Sequence, residues 1–373
     1  MMVLTALVVL TGMAYAGLIA WLSLGWLRPA PAVRASAPIT GFSVVLPARN
    51  EEGNIERVLD CLRRQDYPPE QFEVIVVNDH SADKTASRAA AFIRKHRLGH
   101  FRLLDASFPG SSPGKKKALA LAIGEANGDY VVTTDADCSM GSGWLRTIAT
   151  ELAAHRAHML AGPVGIGPER DVFERLQALE LLSLTGAGAA AAAQGRPILC
   201  SGANLAFSRE LFHNVCGYTG NEHLASGDDV FLMHKFKARP GVAVAFAKDP
   251  AALVRTLPVG KLRQFFVQRR RWVAKTGHYR DGFTKLAALV VAAFNASLIV
   301  ALIGGAVAGG GWFAVAGACW LAKGLVDLPL LMMVARQYRQ LPLLWVYPLA
   351  WLMYPFYALA VSVSGLAGQG GWK

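Results

Sequence analysis

Residues 2–26 carry no charge, and three further apolar stretches, 286–308, 312–335 and 343–366, follow Lys285. Each is close to the ~20 residues that a helix needs to cross a bilayer core. With 53% hydrophobic residues in 373, an ordinary single soluble domain is excluded. A cleaved signal peptide fits the first stretch poorly, because no basic residue precedes it and it outruns a signal core. Residues 1–27 therefore read as a transmembrane helix, 28–40 as a linker and 284–373 as a membrane domain of three helices. Arg28 and Arg34 follow the first span, and Arg336 and Arg339 separate the last two. Positive charge marks the cytoplasmic side, which places the intervening 41–283 in the cytosol of a multi-pass protein of the cell inner or plasma membrane.

The net charge of +12 has a matching explanation. Basic residues beside an anionic inner leaflet hold a juxtamembrane domain to its surface. Nucleic-acid binding ranks last, since no recognisable module interleaves aromatic and basic residues. The five cysteines, Cys61, Cys138, Cys200, Cys216 and Cys319, never pair as CxxC, so neither a disulfide framework nor a zinc site is indicated.

In the middle of the chain short apolar runs alternate with amphipathic segments. "FSVVLP" (42–47), "FEVIVVND" (72–79), "FRLLD" (101–105) and "DYVVTTDAD" (129–137) read as buried strands, and the segments between them as helices. That order predicts an α/β fold with a mostly parallel sheet covered on both faces. Ligands of such sheets sit beyond the carboxyl ends of the strands. Those ends are acidic here: Asp79 closes one strand, and Asp135 and Asp137 close another. In an extended chain residues i and i+2 share a side, so both carboxylates face one ligand, and two hard oxygen donors suit Mg2+ or Mn2+ shared with a diphosphate. "GSSPGKKKA" (110–118) fails the Walker spacing, and no GxGxxG follows the first strand.

Taken in order, "VVLPARNEEGNI", "VVNDHSADKT", "GKKKALALAI", "TTDADC", "CSGANLAF", "SGDDVFLMHKF" and "QRRRW" resemble the family 2 glycosyltransferases of GT-A fold. The likeness is greatest to the membrane-integrated branch of cellulose, chitin and hyaluronan synthases and ceramide glucosyltransferase, and covers about residues 42–275. It implies a Rossmann-like GT-A domain between N- and C-terminal transmembrane helices. It implies that Pro47, Arg49, Asn50 and Glu51 hold the nucleotide base, that Asp79 contacts the nucleoside, and that Lys115 lies near the donor. Asp135 and Asp137 then position the diphosphate and its metal. Asp229 is the implied base, with Asp228 standing where the family has Glu. Gln268 and Arg271 face the diphosphate and Trp272 the acceptor.

The implied activity is metal-dependent, inverting sugar transfer from a nucleotide sugar, UDP-linked, to a membrane lipid or growing polysaccharide, with oligomerisation a possible aid. The competing classes are an inactive membrane-tethered nucleotide-sugar-binding protein and a nucleotidyltransferase. The complete acidic and QxxRW residues weigh against the first, and "PARNEE" in place of a glycine-rich loop against the second. His213, His234 and His278 lack metal-ligand spacing. Arg269 and Arg270 read as surface charges, residues 171–193 as a helix on the membrane surface or the catalytic domain, and Lys323 with Asp327 as a pair on one helix face.

Overall fold

The computed structural model describes residues 2–29, 31, 40–108, 110–220, 224, 226–309 and 311–366. The expected linker at 28–40 falls largely outside the described residues, as does the end of the 284–373 segment. Two compact units form, each from separated stretches of chain. One takes Pro29–Pro168 and Leu199–Pro258; the other takes Met1–Arg28, Glu169–Ile198 and Val259–Gly370.

Among the described residues the first unit has ten strands: β1 (Phe42–Ala48), β2 (Phe72–Asn78), β3 (Phe101–Asp105), β4 (Tyr130–Thr133), β5 (Ser139–Met140), β6 (Met159–Ala161), β7 (Val164–Ile166), β8 (Leu205–Ser208), β9 (Val244–Phe246) and β10 (Val254–Thr256). Seven make one sheet in the order β3-β2-β1-β4-β8-β6-β9, and β5-β10-β7 make a small second one. The large sheet is mostly parallel, as the alternation predicts; β8 alone runs antiparallel to its neighbours β4 and β6. Every residue of β1 is buried, and Val44, Leu46, Val74 and Val76 are fully so. Burial on both faces is why β1 and β2 read as unbroken β-branched runs.

Register sets the carboxyl edge. Ala48 pairs with Asn78, so β1 and β2 end level, and the Asp79 N–H donates to Ala48 O at 2.9 Å. β4 stops earlier than the sequence predicts, at Thr133, because its partner β8 begins at Leu205 and the Thr133 hydroxyl donates instead to Gly202 O at 2.7 Å. The Cys138 N–H then donates to Asp135 O (3.1 Å), closing a turn. Asp135-Ala136-Asp137 therefore lies on this turn, and alternation in an extended chain is not what aligns its carboxylates. Both are nonetheless partly exposed, while Ala136 between them is buried.

The second unit holds the helices Met2–Leu27, Val172–Ala193, Leu262–Ala274, Gly282–Ala308, Gly311–Gln337 and Tyr347–Leu366. Among the described residues five helices are long and apolar enough to cross a membrane, one more than the sequence predicts; the addition is Val172–Ala193. Its small residues let helices approach closely, the usual basis of packing where hydrophobicity gives no drive. A Cβ on Gly25 would fall 2.3 Å from Ala190 O, and one on Gly186 would fall 2.5 Å from Val334 Cγ2. Tyr15 packs on Phe294 with ring centroids 4.9 Å apart. Lys323 and Asp327 pair as predicted, Nζ to Oδ2 at 2.6 Å, and the Tyr15 hydroxyl donates to Asp327 Oδ1 at 2.7 Å.

One side chain ties the sheet together beneath its surface. Glu73 Oε1 accepts from the Ser43 hydroxyl and the Asn127 N–H, both at 2.7 Å, and Arg102 lies 3.1 Å from Oε2. Burial favours the neutral acid, but these hydrogen bonds and the Arg102 charge outweigh it and hold the Glu73 carboxyl below its usual range. A depressed acid contributes stability above its unfolded value, lost as pH falls through the folded one. Thermal melts should therefore fall on acidification below about pH 4, and Glu73→Gln should melt lower at neutral pH yet lose less on acidification. Parallel melting curves for the two proteins from pH 7 to 3 would contradict this.

Candidate active site

Within the sheet-bearing unit, the loops after β1 and β2 are laced to each other. The Asn50 N–H donates to Ser81 Oγ (3.2 Å), Asn50 Oδ1 accepts from the Ala82 N–H (2.9 Å), and the Glu51 N–H donates to Thr85 Oγ1 (2.7 Å). Asn50 and His80 take left-handed backbone angles, φ 55 and 57, which bend both loops back over the strand ends. Pro47 is buried inside β1. Arg49 follows it with a buried Nε that has no hydrogen-bond partner, an available donor at the carboxyl edge.

Asp79 is 1% exposed. It accepts the Gly114 N–H on both oxygens (3.2 and 2.9 Å), and His80 Nδ1 lies 3.0 Å from Oδ1. Asp79 thus fixes the residue before the helix Lys115–Gly124, and so the start of Lys115. Lys115 Nζ reaches Asp135 Oδ1 at 2.5 Å. Burial works against the ammonium, but Asp135, Asp228 and Asp229 outweigh it and hold Lys115 charged, above the ordinary lysine range.

Asp228 and Asp229 open the helix Asp228–Lys237, where negative charge complements the dipole. Gly227 before them has φ 87, a backbone angle that glycine adopts without steric cost. The Gly202 N–H donates to Asp229 Oδ2 (3.2 Å) and the Val230 N–H to Oδ1 (2.7 Å). A Cβ on Gly202 would lie 3.1 Å from Asp228 Oδ2, 3.7 Å from Lys115 Nζ and 3.9 Å from Asp229 Cβ. Lys115, Asp135, Gly202, Asp228 and Asp229 therefore converge at the sheet's carboxyl edge. Asp137 is held separately: Thr256 Oγ1 donates to its Oδ2 (3.1 Å), and Arg57 donates to its backbone oxygen (2.7 Å).

Tyr218, half-buried, lies within electrostatic reach of Asp228 and Asp229 although no motif marks it. Burial, with the charges of Asp228 and Asp229, pushes its hydroxyl well above the usual tyrosine range, so it stays neutral. The same two causes, burial first and then Asp137 and Asp135, keep the Cys138 thiol protonated. Among the described residues no three His, Cys, Asp or Glu side chains gather as a metal cage.

Gln268, Arg271 and Trp272 lie in the other unit, on the helix Leu262–Ala274. The surface role expected of Arg269 is corrected there. Phe265, Arg269 and Trp272 follow at four and three residues, on one helix face. Arg269 is 2% exposed, with its guanidinium 4.4 Å from the Phe265 ring centroid, 4.2 Å from that of Trp272, and paired to Glu180.

Comparison with known proteins decides the lineage of this site. A match to glycosyl transferase family 2 covers residues 43–216, and one to glycosyl transferase family group 2 covers residues 130–364. The chain belongs to the family 2 glycosyltransferases. Among curated relatives, this glycosyltransferase chain is similar to an N-acetylglucosaminyltransferase of Rhizobium meliloti, 26% identical over 69% of this chain and 61% of that protein. It is also similar to glycosyltransferase AglE of Haloferax volcanii, 26% identical over 60% of this chain and 71% of that one. The matches to YdaM of Bacillus subtilis and TarS of Staphylococcus aureus, 36% and 33% identical, cover 26% and 36% of this chain and span only 22% and 23% of those relatives' length. Its fold resembles the mannosyltransferase PcManGT of Pyrobaculum calidifontis, described in complex with GDP-Man and Mn2+. That likeness has TM-score 0.63 and 21% identity over 90% of this chain and 99% of the other.

Gly202 tests the convergence directly. Gly202→Val adds branched bulk where a single Cβ already meets Asp228 Oδ2 at 3.1 Å. Displacing that carboxylate by ~1 Å should cost about 10²-fold in turnover with circular dichroism unchanged. Wild-type turnover would show that the cluster is not the reacting centre.

Proposed function

We propose that the protein transfers a sugar from a nucleoside diphosphate sugar, UDP-linked, to a hydroxyl of a membrane lipid or glycan, with inversion at the anomeric carbon. The observation that carries this reading is the convergence of Lys115, Asp135, Asp228 and Asp229 beyond the carboxyl ends of a mostly parallel sheet in a family 2 glycosyltransferase. That edge is where α/β sheets bind ligands.

The chemistry follows from what each group can do. Asp229, partly exposed and oriented by two backbone N–H groups, takes the proton from the acceptor hydroxyl. As that oxygen bonds to the anomeric carbon, the bond from this carbon to the diphosphate oxygen breaks, and the electron pair leaves with the diphosphate. Attack opposite the leaving group inverts the centre. Asp228, 8% exposed beside Lys115, serves as a second counter-ion to the ammonium. Lys115 and Arg49 meet the growing negative charge.

Asp135 and Asp137, partly exposed carboxylates on the turn after β4, are the residues that would hold a hard divalent cation, Mg2+ or Mn2+. Diphosphate oxygens of the donor would supply further hard ligands. Such a cation would offset charge on the leaving diphosphate. PcManGT, with GDP-Man and Mn2+ on a similar fold, is consistent with this.

The sheet also constrains topology. β4 precedes the helix Val172–Ala193, β8 follows it, and the two are hydrogen-bonded neighbours. A single crossing by that helix would put the two strands on opposite faces of the bilayer. The reading is therefore four crossings, residues 41–168 and 199–258 in the cytosol, and Val172–Ala193 entering and leaving on the same side.

Two measurements test this. Purified protein or membranes are incubated with radiolabelled nucleotide sugars and Mg2+ or Mn2+, and label is counted in lipid extract and insoluble polymer. Transfer from one donor supports the reading, and the fraction labelled identifies the acceptor class; transfer from none refutes it. Asp229→Asn keeps size and hydrogen bonding, so turnover should fall about 10² to 10⁴-fold without unfolding. Unaltered turnover would remove Asp229 from the base role.

A further inference from the structure

Glu180 is a carboxylate in the middle of an apolar 22-residue helix, and side chains from two other helices of its unit take both its oxygens. Arg269 Nε and Nη2 reach Oε2 at 2.8 and 2.7 Å, and the Tyr357 hydroxyl donates to Oε1 at 2.5 Å. The Tyr357 ring also lies 5.8 Å from Phe265, centroid to centroid, so the clasp is packed as well as bonded. Arg269 in turn touches both ends of "QRRRW": its Nη1 donates to Gln268 Oε1, and its plane lies 4.2 Å from the Trp272 ring centroid.

A charged pair in such a place is poorly explained by stability. Taking two ions out of water costs several kcal/mol each, and apolar side chains of the same volume often serve as well or better. What a buried fork-shaped guanidinium adds is direction, since it fixes a carboxylate on its edge and aromatic rings on its faces. The motif's own Gln268 and Trp272 are the groups so directed.

We propose that Glu180 and Arg269 are positioning residues, which hold the Trp272 ring and the Gln268 side chain so that the sugar passes to the acceptor hydroxyl rather than to water. This rests on the reading of Trp272 as an acceptor-side residue. Glu180 supplies the anchor, Tyr357 fixes the orientation of its carboxylate, and Arg269 transmits both to the motif.

The partition between transfer and hydrolysis tests the proposal. The full chain in native membranes receives a radiolabelled nucleotide sugar, and label in lipid extract and polymer is compared with free sugar released to water. Glu180→Gln keeps shape and removes charge; the ratio of transferred to hydrolysed sugar should fall about tenfold or more, the scale expected from a small misplacement. Glu180→Asp should recover much of the ratio. Arg269→Lys should not, because an ammonium lacks both the fork and the plane.

Binding of UDP with Mn2+ should fall by less than the ratio does in all three variants, since Asp79, Lys115, Asp135 and Asp137 belong to the other unit. A purely structural role would lower transfer and hydrolysis together, leave the ratio unchanged and overturn the proposal. If Glu180→Gln fails to accumulate, Tyr357→Phe must shift the ratio in the same direction; an unchanged ratio there overturns it equally. A wild-type protein that neither transfers nor hydrolyses any donor would overturn the proposed function, and this inference with it. Wild-type transfer with an unaltered ratio in the variants would overturn the inference alone.

Discussion

β8 is hydrogen-bonded between β4 and β6, and everything else in the molecule depends on that insertion. The chain leaves the sheet-bearing unit after Pro168, runs through a helix long enough to cross a bilayer, and returns by Leu199 to fill the middle of the sheet. Ladder hydrogen bonds join strands on one side of a membrane only, which is the basis of the proposal that this helix has both ends on the same face. The insertion also brings Gly202, immediately before β8, to the end of β4, where Thr133 binds its carbonyl oxygen. From there its N–H reaches Asp229. One strand thus links topology to the geometry of the carboxylates.

The second dependence is electrostatic. Asp135, Asp228 and Asp229 come from two separate segments and repel one another. Lys115 lies among them, and Asp79 fixes the residue just before it through the Gly114 N–H. Asp79, which the family resemblance connects with the nucleoside, is 1% exposed, so its visible work is to hold the loop that delivers the lysine. A site arranged this way has its anionic residues already neutralised in part before any diphosphate arrives, and a ligand's negative charge meets a cation rather than bare carboxylates.

Legibility in the sequence followed the range of the interactions involved. β1, β2 and β4 are readable because both faces are largely buried, which leaves runs such as "VVL" and "VIVV", whereas β3, the edge strand, is half-buried beyond Phe101 and shows only as a short apolar run. β5 to β10 span two to four residues each, too short for any period to register, so the second sheet and the antiparallel place of β8 were not readable. The site acids stood out through local pattern, but the turn carrying Asp135 did not, since it depends on where β8 begins. Tyr218 had no motif at all. Arg269 was misread because the carboxylate that buries it is 89 residues away, beyond the reach of local charge patterning.

Two ion pairs among the described residues of the long-helix unit, each with a buried cation, solve the same problem differently. Lys323 and Asp327 are one turn apart on a single helix, where four-residue spacing brings them together without help from the fold. Tyr15 donates to Asp327, and the Lys323 ammonium lies 4.6 Å from the Tyr354 ring centroid, so this pair knits neighbouring helices while remaining internally neutral. Arg269 and Glu180 sit on different helices, and neither has its partner unless those helices are docked. Their attraction is therefore available only in the assembled state, and it is directed at one motif rather than at the bundle. A local pair can tolerate helix displacement; a pair made between helices reports and resists it. That difference is why the second pair, and not the first, is the one suited to hold Trp272.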